Sequence, residues 1–132
     1  MPAYRFREAA QLLGVSDDTL RRWAESGRVE TVQVDGRRAI DGAELARFAG
    51  QIATPIPETQ PVLRESARNR FVGLVTRVVK DKVMAQVELQ CGPYRVVSLM
   101  SREAADELGL EAGVTAIAAV KSTNVVVEVP GE

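Results

Sequence analysis

Histidine is missing altogether, and cysteine occurs once, at Cys91. Without histidine there can be no triad or dyad that uses an imidazole base. One thiol with no imidazole also argues against zinc and other transition-metal sites. A single cysteine cannot close an internal disulfide, which fits a reducing cytoplasm. Aspartate and glutamate could still move protons, but the expectation is a non-enzymatic chain. Aromatics make up 5% of the residues, so any core must be built from Val, Leu, Ile and Ala. No apolar run approaches the roughly 20 residues that span a bilayer. The opening Met1-Pro2-Ala3-Tyr4-Arg5 lacks the apolar stretch of a signal peptide. The reading is therefore a chain with no membrane partner, located in the cytoplasm.

An excess of positive charge is absent as well. The net charge is −1, unlike the footprint of a chain that binds nucleic acid over its whole surface. Division into halves does not change this. Residues 1–50 carry eight arginines (5, 7, 21, 22, 28, 37, 38, 47) against eight acids, and residues 66–132 also balance at eight against eight. What stands out is the kind of base. Every cation of the first fifty residues is arginine, the side chain suited to bidentate contact with phosphate and guanine.

What is present divides near residue 55. Thr54-Pro55-Ile56-Pro57-Glu58-Thr59-Gln60-Pro61 holds three prolines, which remove backbone donors and block helix, so 51–64 is expected to be an extended linker. Before it, residues 1–50 show helical spacing. Phe6 to Leu13 reads as a short helix stopped by Gly14. Ser16 caps a second helix from Asp17 to Ser26, whose first turn gains from Asp17 and Asp18. Val32-Gln33-Val34 and Arg38-Ala39-Ile40 flank Asp35-Gly36, a hairpin signal. Asp41 caps a third helix, Gly42 to Phe48. Leu12, Val15, Leu20, Trp23 and Leu45 are the expected core.

After the linker, residues 65–132 suggest strands at Asn69–Val79, Val83–Leu89, Arg95–Met100, Ala116–Val120 and Val125–Val129. One helix, capped by Ser101 and ended by Gly109, fits between the third and fourth. The fold class expected is α+β: a small winged helix-turn-helix domain, then an OB-like five-stranded barrel or sandwich. Ser66-Ala67-Arg68-Asn69 precedes the first long strand, and Lys121-Ser122-Thr123-Asn124 lies between the last two. Each sets a cation beside a hydroxyl at a strand end. A doubly charged oxyanion would need such groups, together with turn amides. Read alone, each is more often a cap or a turn.

Two resemblances sharpen these readings. Glu8-Ala9-Ala10-Gln11-Leu12-Leu13-Gly14-Val15-Ser16, followed by Thr19-Leu20-Arg21-Arg22-Trp23, resembles the DNA-binding domain of the MerR and excisionase-like families over residues 4–50. In those families the second helix enters the major groove and the wing touches the backbone or minor groove. The resemblance thus implies DNA contact by Ser16, Asp17, Thr19, Arg21 and Arg22, and by Arg37 and Arg38 on the wing. Ser66-Ala67-Arg68-Asn69 with Phe71-Val72-Gly73-Leu74-Val75, then Leu108-Gly109-Leu110-Glu111-Ala112-Gly113 and Val120-Lys121-Ser122-Thr123, resembles the Mop or molbindin domain of the TOBE superfamily over residues 65–130. That family binds molybdate or tungstate at subunit interfaces. The resemblance implies an oxyanion held by Ser66, the Ala67 amide, Arg68, Lys121 and Ser122. Asn69 would order the loop, and Thr123 and Asn124 would be turn residues. It also implies a homo-oligomer, a dimer or trimer of dimers, built through the second domain. Together they imply a molybdate- or tungstate-responsive transcriptional regulator that binds double-stranded DNA. The alternatives are a molbindin-type storage protein with a tethering helix-turn-helix, and an excisionase-like architectural DNA-binding protein.

Overall fold

The computed structural model describes residues 2–53 and 68–131. The chain separates into two compact units, Met1–Thr54 and Pro55–Glu132. The proline-rich segment, Ser66 and Ala67 lie outside the described residues.

In the first unit the order is β1 (Ala3–Arg5), α1 (Phe6–Leu13), α2 (Asp17–Glu25), β2 (Val32–Val34), β3 (Arg37–Asp41) and α3 (Gly42–Ile52). Helix α1 ends because Gly14 turns left-handed, at φ 72°. That conformation costs glycine least, and it lets the Gly14 and Val15 amides bond back to Gln11 and Ala10. Helix α2 begins where the Ser16 hydroxyl accepts from the Thr19 amide at 3.1 Å. Helix α3 begins where the Asp41 carboxylate accepts from the Ala43 amide. It runs to Ile52, four residues past the expected Phe48, so residues 51 and 52 are helical rather than linker. Ile52 continues the spacing of Leu45 and Phe48 and packs on the same cluster.

The hairpin β2–β3 turns at Asp35 and Gly36, both with positive φ, as a two-residue turn between twisted strands demands. β3 pairs on its other side with β1, Tyr4 facing Ile40. This short strand has no signal of its own in the sequence. Ala9, Ala10, Leu20, Val29, Ile40, Leu45 and Phe48 form the buried core, with Val15 and Trp23 packed against it. Leu12, expected in that core, is instead 65% exposed. It sits about 100° round the helix from Leu13, whose face with Ala9 and Ala10 is the one that packs.

The second unit is a curled antiparallel sheet of β4 (Asn69–Lys80), β5 (Met84–Cys91), β6 (Tyr94–Ser101) and β7 (Thr115–Val120), with α4 (Arg102–Glu107) between β6 and β7. The spatial order is β6-β5-β4-β7. A bulge between Val75 and Arg77 shifts the β4–β5 register, and bulges bend the strand that carries them. Gly73 lets the strands close: a Cβ there would stand 2.6 Å from the Cys91 Sγ and 3.0 Å from the Gln90 carbonyl.

The expected fifth strand is not formed. Val125–Val129 adopts no strand, and Val126, Val127 and Val129 are more than four-fifths exposed. Valine favours a pleated, half-buried surface, but a strand also needs to be paired at an edge, and this segment pairs with neither free edge of the sheet, β6 or β7, within the described residues. The sheet is correspondingly open. Val75, Val87, Leu89 and Cys91 are buried. A groove of about 600 Å³ remains between the inner faces of β6 and β7, lined by Val96, Met100, Leu110, Ala116 and Ala118 among others.

Candidate functional sites

The end of the sheet where β4 begins and β7 finishes is fixed by register. Asn69 pairs with Val120, and its side-chain amide donates to the Val120 carbonyl at 3.2 Å. Asn69 thus ties the two strand ends together. The next residues outward are Arg68 on one side and Lys121 on the other. Residues separated by more than fifty positions in sequence are therefore neighbours. Both are basic residues at the same end of the sheet. Ser122–Asn124 forms a single 3-10 turn in which the Asn124 amide donates to the Lys121 carbonyl at 2.9 Å and the Val125 amide to the Ser122 carbonyl at 3.3 Å. Thr123 and Asn124 are turn residues. The turn is exposed and carries the Ser122 hydroxyl beside Lys121. Of the five expected oxyanion ligands, Arg68, Lys121 and Ser122 share this sheet end. Ser66 and Ala67 lie outside the described residues.

In the first unit the expected DNA-contact residues fall into two groups. Ser16, Thr19 and Arg22 form one chain: the Ser16 hydroxyl donates to Thr19 Oγ1 at 2.9 Å, and Arg22 Nη2 donates to the same oxygen at 3.3 Å. Asp17 begins the helix beside them. Ser16 is therefore engaged as the helix cap. Arg21, Arg37 and Arg38 form the other group. With Phe6 they line one hollow of about 280 Å³, and the Arg38 guanidinium lies 5.0 Å over the Phe6 ring. All three arginines are exposed. In the sequence Phe6 reads only as a helix residue, and nothing in its spacing announces that it supports the wing.

A third cluster positions α2. Arg47 holds Glu44 through two bonds of 2.5 and 2.8 Å. Glu44 also accepts the Glu30 amide at 2.7 Å. The Arg47 hydrogen bond, helped by the Glu30 amide, lowers the Glu44 carboxyl to about 2. Arg28, just after α2, lies over both Trp23 and Phe48, whose rings meet edge to face at 5.3 Å. Elsewhere, Lys80 and Arg102 hold the Asp106 carboxyl below its ordinary value, Lys80 most. Among the described residues no group of three or more His, Cys, Asp or Glu side chains could hold a metal ion. Nor is any described helix long and apolar enough to cross a membrane.

Similarity to known proteins follows the same division. Residues 3–52 match the helix-turn-helix domain family, and residues 65–127 match the TOBE domain family. Molybdenum-pterin-binding protein 2 of Clostridium pasteurianum is 38% identical over 63 residues, which is 47% of this chain and 93% of that protein. Molybdenum-pterin-binding protein 1 of the same organism is 35% identical over the same shares. The crystal structure of the cytoplasmic molybdate-binding protein ModG with molybdate bound superposes with a TM-score of 0.51 at 34% identity, over 57% of this chain and 53% of that one. Through its C-terminal half the chain belongs to the TOBE-domain family of the molybdenum-pterin-binding proteins, and a helix-turn-helix domain precedes it.

Proposed function

We propose that this chain is a molybdate- or tungstate-responsive transcriptional regulator, whose second domain binds the oxyanion and whose first domain binds double-stranded DNA. One observation carries the reading. The pairing of Asn69 with Val120 sets Arg68 beside Lys121 and Ser122 at one sheet end, in a domain whose relatives are named for binding molybdenum compounds. A dianion leaving water loses strong hydration, and charge-assisted hydrogen bonds offset that loss. Arg68 and Lys121 supply the charge. Ser122, Ser66 and the Ala67 amide supply further donors.

In this proposal residues 1–50 form a winged helix-turn-helix. α2 and its cap carry the DNA-contact residues Ser16, Asp17, Thr19, Arg21 and Arg22, and the β2–β3 hairpin is the wing with Arg37 and Arg38. The residues after α3, up to 64, join it to the Mop-like domain at 65–132. A domain with balanced charge makes few phosphate contacts and binds DNA weakly as a monomer. Two copies on one duplex raise the affinity, so the second domain also assembles the protein, as a dimer or trimer of dimers. The open groove and the exposed valines support that assembly.

Calorimetry of the full chain with molybdate tests the reading. The wild type should release or absorb heat at micromolar to millimolar anion. Arg68→Ala or Lys121→Ala should abolish binding, and Ser122→Ala should weaken it. No binding of molybdate or tungstate by the wild type would overturn the sensor. The storage reading draws on relatives matched over 93% of their length by this one domain. A gel shift separates the two, since a storage protein would not retain a duplex.

A further inference from the structure

The arginines of the first unit are not equivalent. Arg21 and Arg22 are adjacent, so their side chains leave α2 about 100° apart. Arg22 leans back to Thr19, beside the Ser16 cap. Arg21 instead lines the hollow with Phe6, Arg37 and Arg38. None of those lining residues is acidic. Arg38 is held over the Phe6 ring, an arrangement attractive between a cation and an aromatic face. The β2–β3 turn delivers Arg37 and Arg38 as the first two residues of β3. Three cations from two elements thus converge on one place, with no carboxylate among the residues that line it.

The geometry points to a division of labour, resting on the DNA-binding reading above. Arg21, Arg37 and Arg38 form a clamp for one phosphodiester of the duplex, whereas Arg22, with Thr19, is the group that reads a base edge. Phosphate contacts fix register without carrying sequence information, and base-edge contacts carry it. The N-terminal residues of a recognition helix are those that reach base edges. Arg22 is tied to that end of α2 through Thr19, and Arg21 is drawn to the wing. Phe6 is a positioning residue for Arg38.

The experiment uses the full chain and duplexes enriched by the wild type from a pool with a randomised centre. Binding is measured by fluorescence anisotropy across a salt series, for the enriched duplex and for a scrambled one. Arg21→Ala, Arg37→Ala and Arg38→Ala should weaken both duplexes alike. The slope of log K against log salt should become shallower by about 0.9 for each phosphate that is no longer neutralised. Arg21→Lys should keep most of the slope, which guards against a folding defect in the alanine variant. Arg22→Ala should lose discrimination between the duplexes, by about 5–150-fold for one base pair read. The clamp is overturned if Arg21→Ala keeps the wild-type slope while losing discrimination. A melting temperature of Trp23 fluorescence that rises with micromolar inorganic phosphate in the wild type, but not in Arg21→Ala, would make the hollow a free-anion site and overturn the duplex assignment. A wild type that binds no duplex would overturn the DNA-binding reading itself.

Discussion

Glu44 joins two parts of the first unit: α3, which carries both it and Arg47 one turn on, and the Glu30 amide in the segment after α2. Its carboxyl titrates near 2, below the ordinary 4.5, because both partners favour the charged form. The consequence for stability has a definite sign. A carboxyl with a depressed folded-state pKa stabilises the fold fully above its unfolded pKa, and that contribution is lost as pH falls through the folded value. Glu44 should therefore stabilise the first unit above about pH 4.5 and cease to do so as pH falls toward 2. Trp23 is the sole tryptophan and packs on Phe48 in this unit, so its fluorescence follows this unit in the full chain. Melting temperature should fall through that window in the wild type and fall less in Glu44→Gln. Parallel profiles for the two proteins would show that the link is not what responds to acid.

Among the elements, the four-stranded sheet is unfinished and the segment Val125–Val129 is unpaired within the described residues. The edges of β6 and β7 flank an apolar groove, and unpaired edges are templates for another chain. The segment is rich in valine and exposed. A second copy that receives it in its groove would satisfy both needs. Burying a valine is worth about 1.5–3 kcal/mol, roughly ten- to a hundredfold in an association constant. Val127→Asp should weaken self-association by at least that range in sedimentation of the full chain. A wild type that is monomeric at micromolar concentration, or a variant that assembles as well as the wild type, would sink this. The same segment marks how far elements can be read from sequence. Ser16, Gly14, Asp41 and Asp35-Gly36 act on residues within a turn or two of themselves, so α1, α2, α3 and the hairpin are legible. β1 is not, because Ala3–Arg5 becomes a strand only by pairing with β3. Val125–Val129 has strand chemistry but pairs with neither free sheet edge among the described residues of its own chain. The nearness of Arg68 and Lys121 depends on the β4–β7 register. No local pattern encodes it, and in the sequence only the family resemblance points to it. The separation of Arg21 from Arg22 follows from helical spacing, but the meeting of Arg21 with Arg37 and Arg38 is a tertiary contact that spacing does not reveal.

At the scale of the whole molecule, a regulator requires the oxyanion and the duplex to influence each other. If molybdate changes DNA affinity by some factor, DNA must change molybdate affinity by the same factor. Such couplings are typically about 5–150-fold, or about 1–3 kcal/mol. Anion that binds only the native assembly also stabilises it, by about 2.7 kcal/mol at a hundred times its dissociation constant. The melting temperature of the full chain should therefore rise with molybdate. Sulfate should raise it less, being smaller and unable to reach every donor of a site sized for molybdate. The decisive measurement is a closed cycle: duplex affinity with and without saturating molybdate, and molybdate affinity with and without saturating duplex. Equal factors different from one are expected. Arg68→Ala should leave duplex affinity indifferent to molybdate while still binding DNA, since Arg68 belongs to the proposed oxyanion site and not to the arginines of α2 and the wing. A wild type that binds both ligands with no coupling would retain a molybdate-binding protein attached to a DNA-binding one, and would remove the sensor.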